Sequence, residues 1–197
     1  MADTDTMRFY AENAEAYARH RTRPTRQQLD AFLAQVEPGA RILELGCGNG
    51  MDAHYMLERG FDVDATDGTP ELVQAARQRI GDRARVMRFD DLDAENAYDG
   101  VWAAASLLHA PASDLPTILA SIRRAVRSSG VFVASFKSGE GEGRDSMGRY
   151  FNYPSARSLE ATYRAAGWTD LGLEKSMAGG YDGLATEWLW MTARCPS

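Results

Sequence analysis

Residues able to do chemistry gather where apolar runs end. Arg41-Ile42-Leu43-Glu44-Leu45 runs into Gly46-Cys47-Gly48-Asn49-Gly50, an acidic residue followed by alternating glycines. A residue without a β-carbon accepts positive φ and lets a ligand approach the backbone closely. A carboxylate beside such a turn is a poor partner for phosphate. It suits a ligand carrying a cationic amine and hydroxyls. The dinucleotide fingerprint, G-x-G-x-x-G/A, needs a small residue five positions after its first glycine, where this chain has Met51. Asp67 ends a second apolar stretch, and one carboxylate can accept from two adjacent hydroxyls in charge-assisted bonds. Asp90 and Asp91 follow a third stretch, and His109 lies just beyond a fourth. Imidazole titrates near neutrality, so His109 is a candidate base; a single structural hydrogen bond is the other reading.

The elements that must position these residues follow from periodicity. A helix is expected over 8–19 and another from Pro24 to Val36, before a break at Pro38-Gly39. Strands are expected at 40–45, 61–66, 85–89, 99–105 and 131–136. Helices are expected over 51–59, from Thr69-Pro70-Glu71 to Ile80 with Thr69 as the capping hydroxyl, over 115–126, and over 155–166. Two last strands, 168–176 and 185–193, leave no room for a helix between them and should pair antiparallel. The alternation predicts an α/β fold: a seven-stranded, doubly wound, mostly parallel sheet with an antiparallel C-terminal strand and helices on both faces. Residues 1–197 are read as one domain, with 1–36 an N-terminal helical lid and 40–193 the core. Ser138–Gly143 is read as a mobile surface loop.

Composition narrows the class. The chain has 197 residues, 44% hydrophobic and 25% charged, which suits one globular domain with a sizeable core. A formal net charge of −6 argues against a nucleic-acid partner. No apolar run is long enough to span a membrane, and the acidic start does not resemble a signal peptide, so a cytoplasmic location is expected. The two cysteines, Cys47 and Cys195, form no metal-ligand spacing, and no metal is expected.

Glu44, the 46–50 glycines and Asp67 together resemble the class I S-adenosylmethionine-dependent methyltransferases. The resemblance covers about residues 8–193. It implies S-adenosylmethionine as cofactor, S-adenosylhomocysteine as product, and a small-molecule acceptor. It places the loop of Gly46, Cys47, Gly48 and Gly50 against the methionine moiety, with Glu44 orienting it. It places Asp67 on the ribose, flanked by Gly68 and Thr69. An acidic side chain after the third strand should meet the adenine amino group; Asp90 or Asp91 fills that position, with Leu92 next. Ala105 lies where small residues let a carbonyl approach the ligand. In the family, the segment before the first strand often folds over the cofactor. That makes Tyr17 a cofactor and catalytic candidate, and Tyr10, Arg19, Arg21 and Arg23 substrate candidates. An anionic or aromatic acceptor would suit this cluster. His109, Lys137 and Arg149 complete the substrate set. Phe136 to Gly139, Gly148 to Pro154, Asp52 and Ala53 resemble a small bacterial subgroup without a settled substrate, from which Met51 departs. The alternatives are a nicotinamide-dependent oxidoreductase and a non-catalytic S-adenosylmethionine-binding protein.

Overall fold

β1 (Arg41–Leu45) is apolar and buried beyond its first residue, as a strand covered on both faces must be. In the computed structural model, which describes residues 3–21, 25–181 and 183–196, β1 lies near the middle of a seven-stranded sheet. In chain order the elements are α1 (Thr4–Glu12), α2 (Ala14–His20), α3 (Arg26–Leu33), β1, α4 (Met51–Leu57), β2 (Asp62–Asp67), α5 (Pro70–Ile80), β3 (Ala84–Val86), β4 (Tyr98–Ala103), α6 (Leu115–Ala125), β5 (Val126–Lys137), β6 (Glu142–Arg144), β7 (Tyr150–Asn152), α7 (Ala156–Ala165), β8 (Asp170–Gly179) and β9 (Ala185–Arg194). The sheet order is β3-β2-β1-β4-β5-β9-β8, with only β9 antiparallel to its neighbours. This is the expected fold class. Strand order reverses between β1 and β4, so the carboxyl ends of these two strands frame the crevice where ligands bind in open α/β sheets.

Strand alternation assigns the two faces. On β4 and β5, Trp102 and Val133 are register partners, as are Val101 and Phe132 on the opposite face. Trp102 packs on Phe32 of α3 and stacks on Trp190 of β9, with centroids 5.4 and 5.6 Å apart. Phe132 stacks on Tyr163 of α7 at 5.8 Å. Ser135 and Lys137 therefore share the Trp102 face.

Several expected boundaries move, each for a local reason. The 8–19 helix is two helices, α1 and α2, broken at Asn13, whose side-chain amide donates to the Phe9 carbonyl at 2.9 Å and competes with the helix ladder. The expected start at Pro24 lies outside the described residues, and α3 runs from Arg26. β3 ends at Val86; Phe89–Asp91 forms a 3-10 turn because the Asp91 carboxylate accepts from the Arg88 N–H at 3.1 Å. Among the described residues no α-helix joins β3 to β4, so alternation is incomplete there. β5 begins at Val126, earlier than expected, and passes Ser129 at φ 61°. The 138–143 segment is not simply a loop: Glu142–Arg144 pairs antiparallel with Tyr150–Asn152.

Candidate active site

The glycine turn is shaped by what lies against it. Gly46 has φ 78°, and a β-carbon there would sit 2.3 Å from the Ser106 β-carbon. Gly48 has φ 56°, and the Tyr17 ring lies over it, 3.2 Å from where a β-carbon would be. Gly50 serves another purpose. It is the left-handed N-cap of α4, and its bare α-carbon admits Ala76 of α5.

Asp67 is held by two backbone donors, Gly48 N–H at 2.9 Å and Thr69 N–H at 2.9 Å. Burial raises its pKa, and those two bonds oppose the rise. Thr69 does not cap α5 with its hydroxyl, contrary to expectation; its N–H turns to Asp67 instead. Glu44 is buried beside Asp52 and Asp67, and burial pushes its pKa well above the usual carboxylate range. Its Oε2 has no hydrogen-bond partner.

Asp67, Gly46, Gly48, Gly68 and Thr69 line a cleft of about 70 Å³, completed by Asp3, Thr6, Met7, Leu72, Arg88, Phe89 and Ser106. A second cavity, of about 390 Å³, lies beside it, lined by Arg21, Ser135, Lys137, Arg149, Phe151, Tyr181, Trp188 and Trp190 among others. Tyr10, Tyr17, Ala105 and His109 line both. Ala105 holds φ 52°, sparsely populated for a residue with a β-carbon, and its N–H donates to Ser135 Oγ at 2.8 Å.

That shared wall carries a hydrogen-bonded chain. His109 Nδ1 lies 2.7 Å from the Tyr150 carbonyl, which can only accept, so Nδ1 carries the proton and Nε2 is the acceptor. Tyr10 O–H donates to Nε2 at 3.0 Å, and Arg149 Nη1 donates to the Tyr10 oxygen at 3.0 Å. Asp145 grips Arg149 through Nε at 2.9 Å and Nη2 at 2.6 Å, both side chains buried. Burial pushes His109 down to about 4, so it is neutral at pH 7, and burial also raises the Tyr10 phenol.

The N-terminal helices close over the cleft. Asn49 Nδ2 donates to the Ala18 and Arg21 carbonyls, each at 2.9 Å. Asp52, fully buried, accepts from Arg21 at 2.7 Å, Thr25 N–H at 3.0 Å and Trp102 Nε1 at 3.0 Å. Arg144 of β6 pairs with Asp3 at the start of α1 at 2.8 Å, and Tyr150 N–H donates to Thr6 Oγ1 at 2.8 Å.

Some candidates lie elsewhere. Cys47 is buried in the core, and burial raises its thiol; it lines neither hollow. Asp91 turns back onto the Arg88 N–H, Asp90 borders a separate hollow with Ala110 and Thr117, and Leu92 is in the core. Arg88 and Phe89 line the cleft in their place. Arg19 pairs with Glu15 in solvent, away from both hollows, because its helix turns it outward. Arg21 reaches Asp52. Arg23 lies outside the described residues. Asp145, Ser135, Trp188 and Asn49 escaped sequence reasoning, Asn49 although it stands inside the glycine motif.

A family model described as a methyltransferase domain matches residues 42–130, the stretch from β1 to the middle of β5. Over this stretch the chain is similar to the S-adenosylmethionine-dependent methyltransferases. The ubiquinone biosynthesis O-methyltransferase of Xanthomonas campestris pv. campestris (strain B100) is 38% identical over 100 residues, covering 47% of this chain and 41% of that one. The match thus spans less than half of that relative's length. The Burkholderia thailandensis 1,6-didemethyltoxoflavin-N1-methyltransferase, determined with bound 1,6-didemethyltoxoflavin and S-adenosylhomocysteine, is 27% identical with a TM-score of 0.64 over 99% of this chain and 80% of that one. The phosphoethanolamine N-methyltransferase 2 of Haemonchus contortus, in complex with S-adenosyl-L-methionine, shares the fold with a TM-score of 0.75 at 18% identity, over 95% of this chain and 57% of that one. The family's cofactor is S-adenosylmethionine. The residues present fit it: an unpartnered buried carboxylate oxygen on Glu44, a carboxylate at Asp67, and a glycine turn without β-carbons suit a ligand with a cationic amine and vicinal hydroxyls. Among the described residues no helix is long and apolar enough to cross a membrane.

Proposed function

We propose that this methyltransferase transfers the methyl group of S-adenosylmethionine to a small-molecule acceptor held in the larger cavity. One observation carries the proposal: the cleft and the cavity meet at a common wall, Tyr10, Tyr17, Ala105 and His109. In-line displacement needs donor and acceptor aligned across such a wall, and alignment contributes about 7 to 11 kcal/mol when it is good.

When bound, the cofactor supplies an electrophilic methyl group on a sulfonium. Asp67 would take the ribose hydroxyls. Gly46 and Gly48 would lie against the methionine moiety, with Glu44 buried behind them, where a cationic amine would favour its ionised form against the burial that opposes it. Leu72, Arg88 and Phe89 would face the base, rather than Asp90 or Asp91. His109 keeps Nε2 as a neutral acceptor on the shared wall, where it holds the Tyr10 hydroxyl. The chain is organised as one unit, 1–197, in which the 1–36 segment is a lid on the 40–193 core. The bonds from Asn49 and Asp52 to that segment support this reading. Closure excludes water from the transfer site.

Calorimetry tests cofactor choice: S-adenosylhomocysteine should bind and NADH should not. Turnover of labelled methyl groups on a panel of small acceptors then separates an enzyme from a binding protein. Amide hydrogen exchange over α1 and α2 should slow when S-adenosylhomocysteine is added; equal exchange would make the segment a permanent structural helix pair.

A further inference from the structure

The Asp145–Arg149 pair fixes more than its own turn. Asp145 opens the turn between β6 and β7. Its Oδ1 accepts from the Met147 and Arg149 N–H groups at 3.0 and 2.9 Å, and its Oδ2 takes Nε and Nη2 of Arg149. Arg149 is 2% exposed. A buried ion pair adds little net stability, because desolvation offsets the attraction. What this pair does is aim Nη1 at the Tyr10 oxygen. The guanidinium also lies 5.2 to 5.8 Å from four ring centroids: Phe9 and Tyr10 of α1, Phe151 of β7, and Tyr181 between β8 and β9. Three separate parts of the chain therefore meet on one side chain. The proton directions between Arg149 and Tyr150 follow from the two ends. A guanidinium only donates, so the Tyr10 oxygen accepts from it and the Tyr10 proton goes to His109 Nε2. The Tyr150 carbonyl only accepts, so Nδ1 keeps its proton. A second proton, on Nε2, would set that nitrogen donor to donor against the Tyr10 hydroxyl.

We propose that Arg149 is a positioning residue: it sets the Tyr10 hydroxyl on His109 and so fixes the Nδ1-protonated tautomer on the wall between cofactor and acceptor. This rests on the methyltransferase reading above. Asp145 acts behind Arg149 by holding Nε and Nη2. Of the charged groups around the imidazole, Arg149 and Lys137 oppose a second proton and Asp145 favours it, with burial the largest opposing cause. Replacing Arg149 and Asp145 together removes one charge of each sign, so what changes most is the direction of the Tyr10 hydroxyl.

The test follows the His109 ring nitrogens of the full chain by NMR as pH is varied. Removing the guanidinium alone would strand the buried Asp145 carboxylate, so the variant is Arg149→Met with Asp145→Asn. The wild-type ring should titrate at about 4 and show the Nδ1–H tautomer alone at neutral pH. In the paired variant the midpoint should rise by about one unit, the tenfold that one lost hydrogen bond is worth, and the tautomers should mix. Tyr10→Phe should raise the midpoint by a similar amount. Adding the paired substitutions to Tyr10→Phe should then move it by less than half as much as they do in the wild type. An unmoved midpoint with one tautomer in the paired variant overturns the proposal, as does a full further shift in the absence of the Tyr10 hydroxyl. If the paired variant does not melt cooperatively, Arg149→Lys decides, since it keeps the charge and loses the planar fork. Tautomer mixing there supports the proposal, and a wild-type spectrum overturns it. S-adenosylhomocysteine affinity is read in the wild-type sample. Its absence would overturn the methyltransferase reading itself, whereas cofactor binding with His109 unmoved in the variants overturns only the positioning role.

Discussion

The two hollows that meet at Tyr10, Tyr17, Ala105 and His109 differ in charge and in how the chain builds them. The cleft is bordered by Asp3, Asp67 and Arg88, with the Glu44 carboxylate buried behind its glycine turn. The cavity is bordered by Arg21, Lys137 and Arg149. Carboxylates border the first, and none borders the second among the described residues. Beyond α1, which lines both hollows, the cleft uses short contiguous pieces at successive strand ends: 46–48, 67–69 and 88–89. The cavity draws on the lid, the end of β4, the end of β5, the β6–β7 hairpin and the C-terminal β-hairpin.

The comparison breaks first at the glycine turn. Gly48→Val should reduce S-adenosylhomocysteine binding below detection in a folded protein. The residue sits at φ 56° with Tyr17 against it, and a β-branched side chain tolerates neither. Normal binding by titration would make the turn a mere connection. Asp67→Ala should weaken cofactor binding by about 1.5 to 3 kcal/mol, the range for hydrogen bonds to a charged group. Unchanged affinity would remove Asp67 from the site.

A smaller effect sharpens the wall between the hollows. His109 is held at about 4, below its ordinary 6.5. Between those values the unfolded chain binds a proton that the folded chain does not, so stability rises with pH across this window. His109→Gln should flatten the loss between pH 7 and pH 5 by about 1 to 2 kcal/mol, read from denaturation at the two pH values. An unchanged slope would mean that His109 is not kept neutral. Smallest of all, Arg19→Ala should leave turnover unchanged and stability within about 0.5 kcal/mol, since among the described residues the side chain pairs with exposed Glu15. A marked loss of turnover would return Arg19 to the acceptor side.

The same contrast explains what sequence reading could reach. Glu44, Gly46, Gly48 and Asp67 announce themselves because a strand end followed by a glycine turn is a local pattern. The sheet was legible for a similar reason: buried strands and amphipathic helices alternate with short connections. The register after β3 was not, because Asp91 spends its carboxylate on the Arg88 N–H and leaves Phe89 to face the cleft. Cys47 and Gly50 share the motif's spacing, yet one side chain turns into the core and the other position serves helix packing. The Asp145–Arg149–Tyr10–His109 chain joins residues up to 139 positions apart, as between Arg149 and Tyr10, and no one-dimensional spacing encodes it. Nor does periodicity announce a three-residue β6–β7 pairing, which is too short to show alternation.

In the proposed function the cleft holds the cofactor and opens, across the Tyr10–His109 wall, onto the acceptor's cavity. A crystal structure with S-adenosylhomocysteine tests it most directly. The ribose hydroxyls should lie on Asp67, the base toward Phe89, and the sulfur should face the cavity between Tyr17 and Ala105. A ligand whose sulfur points away from Lys137 and His109, or one seated outside the glycine turn, would contradict it.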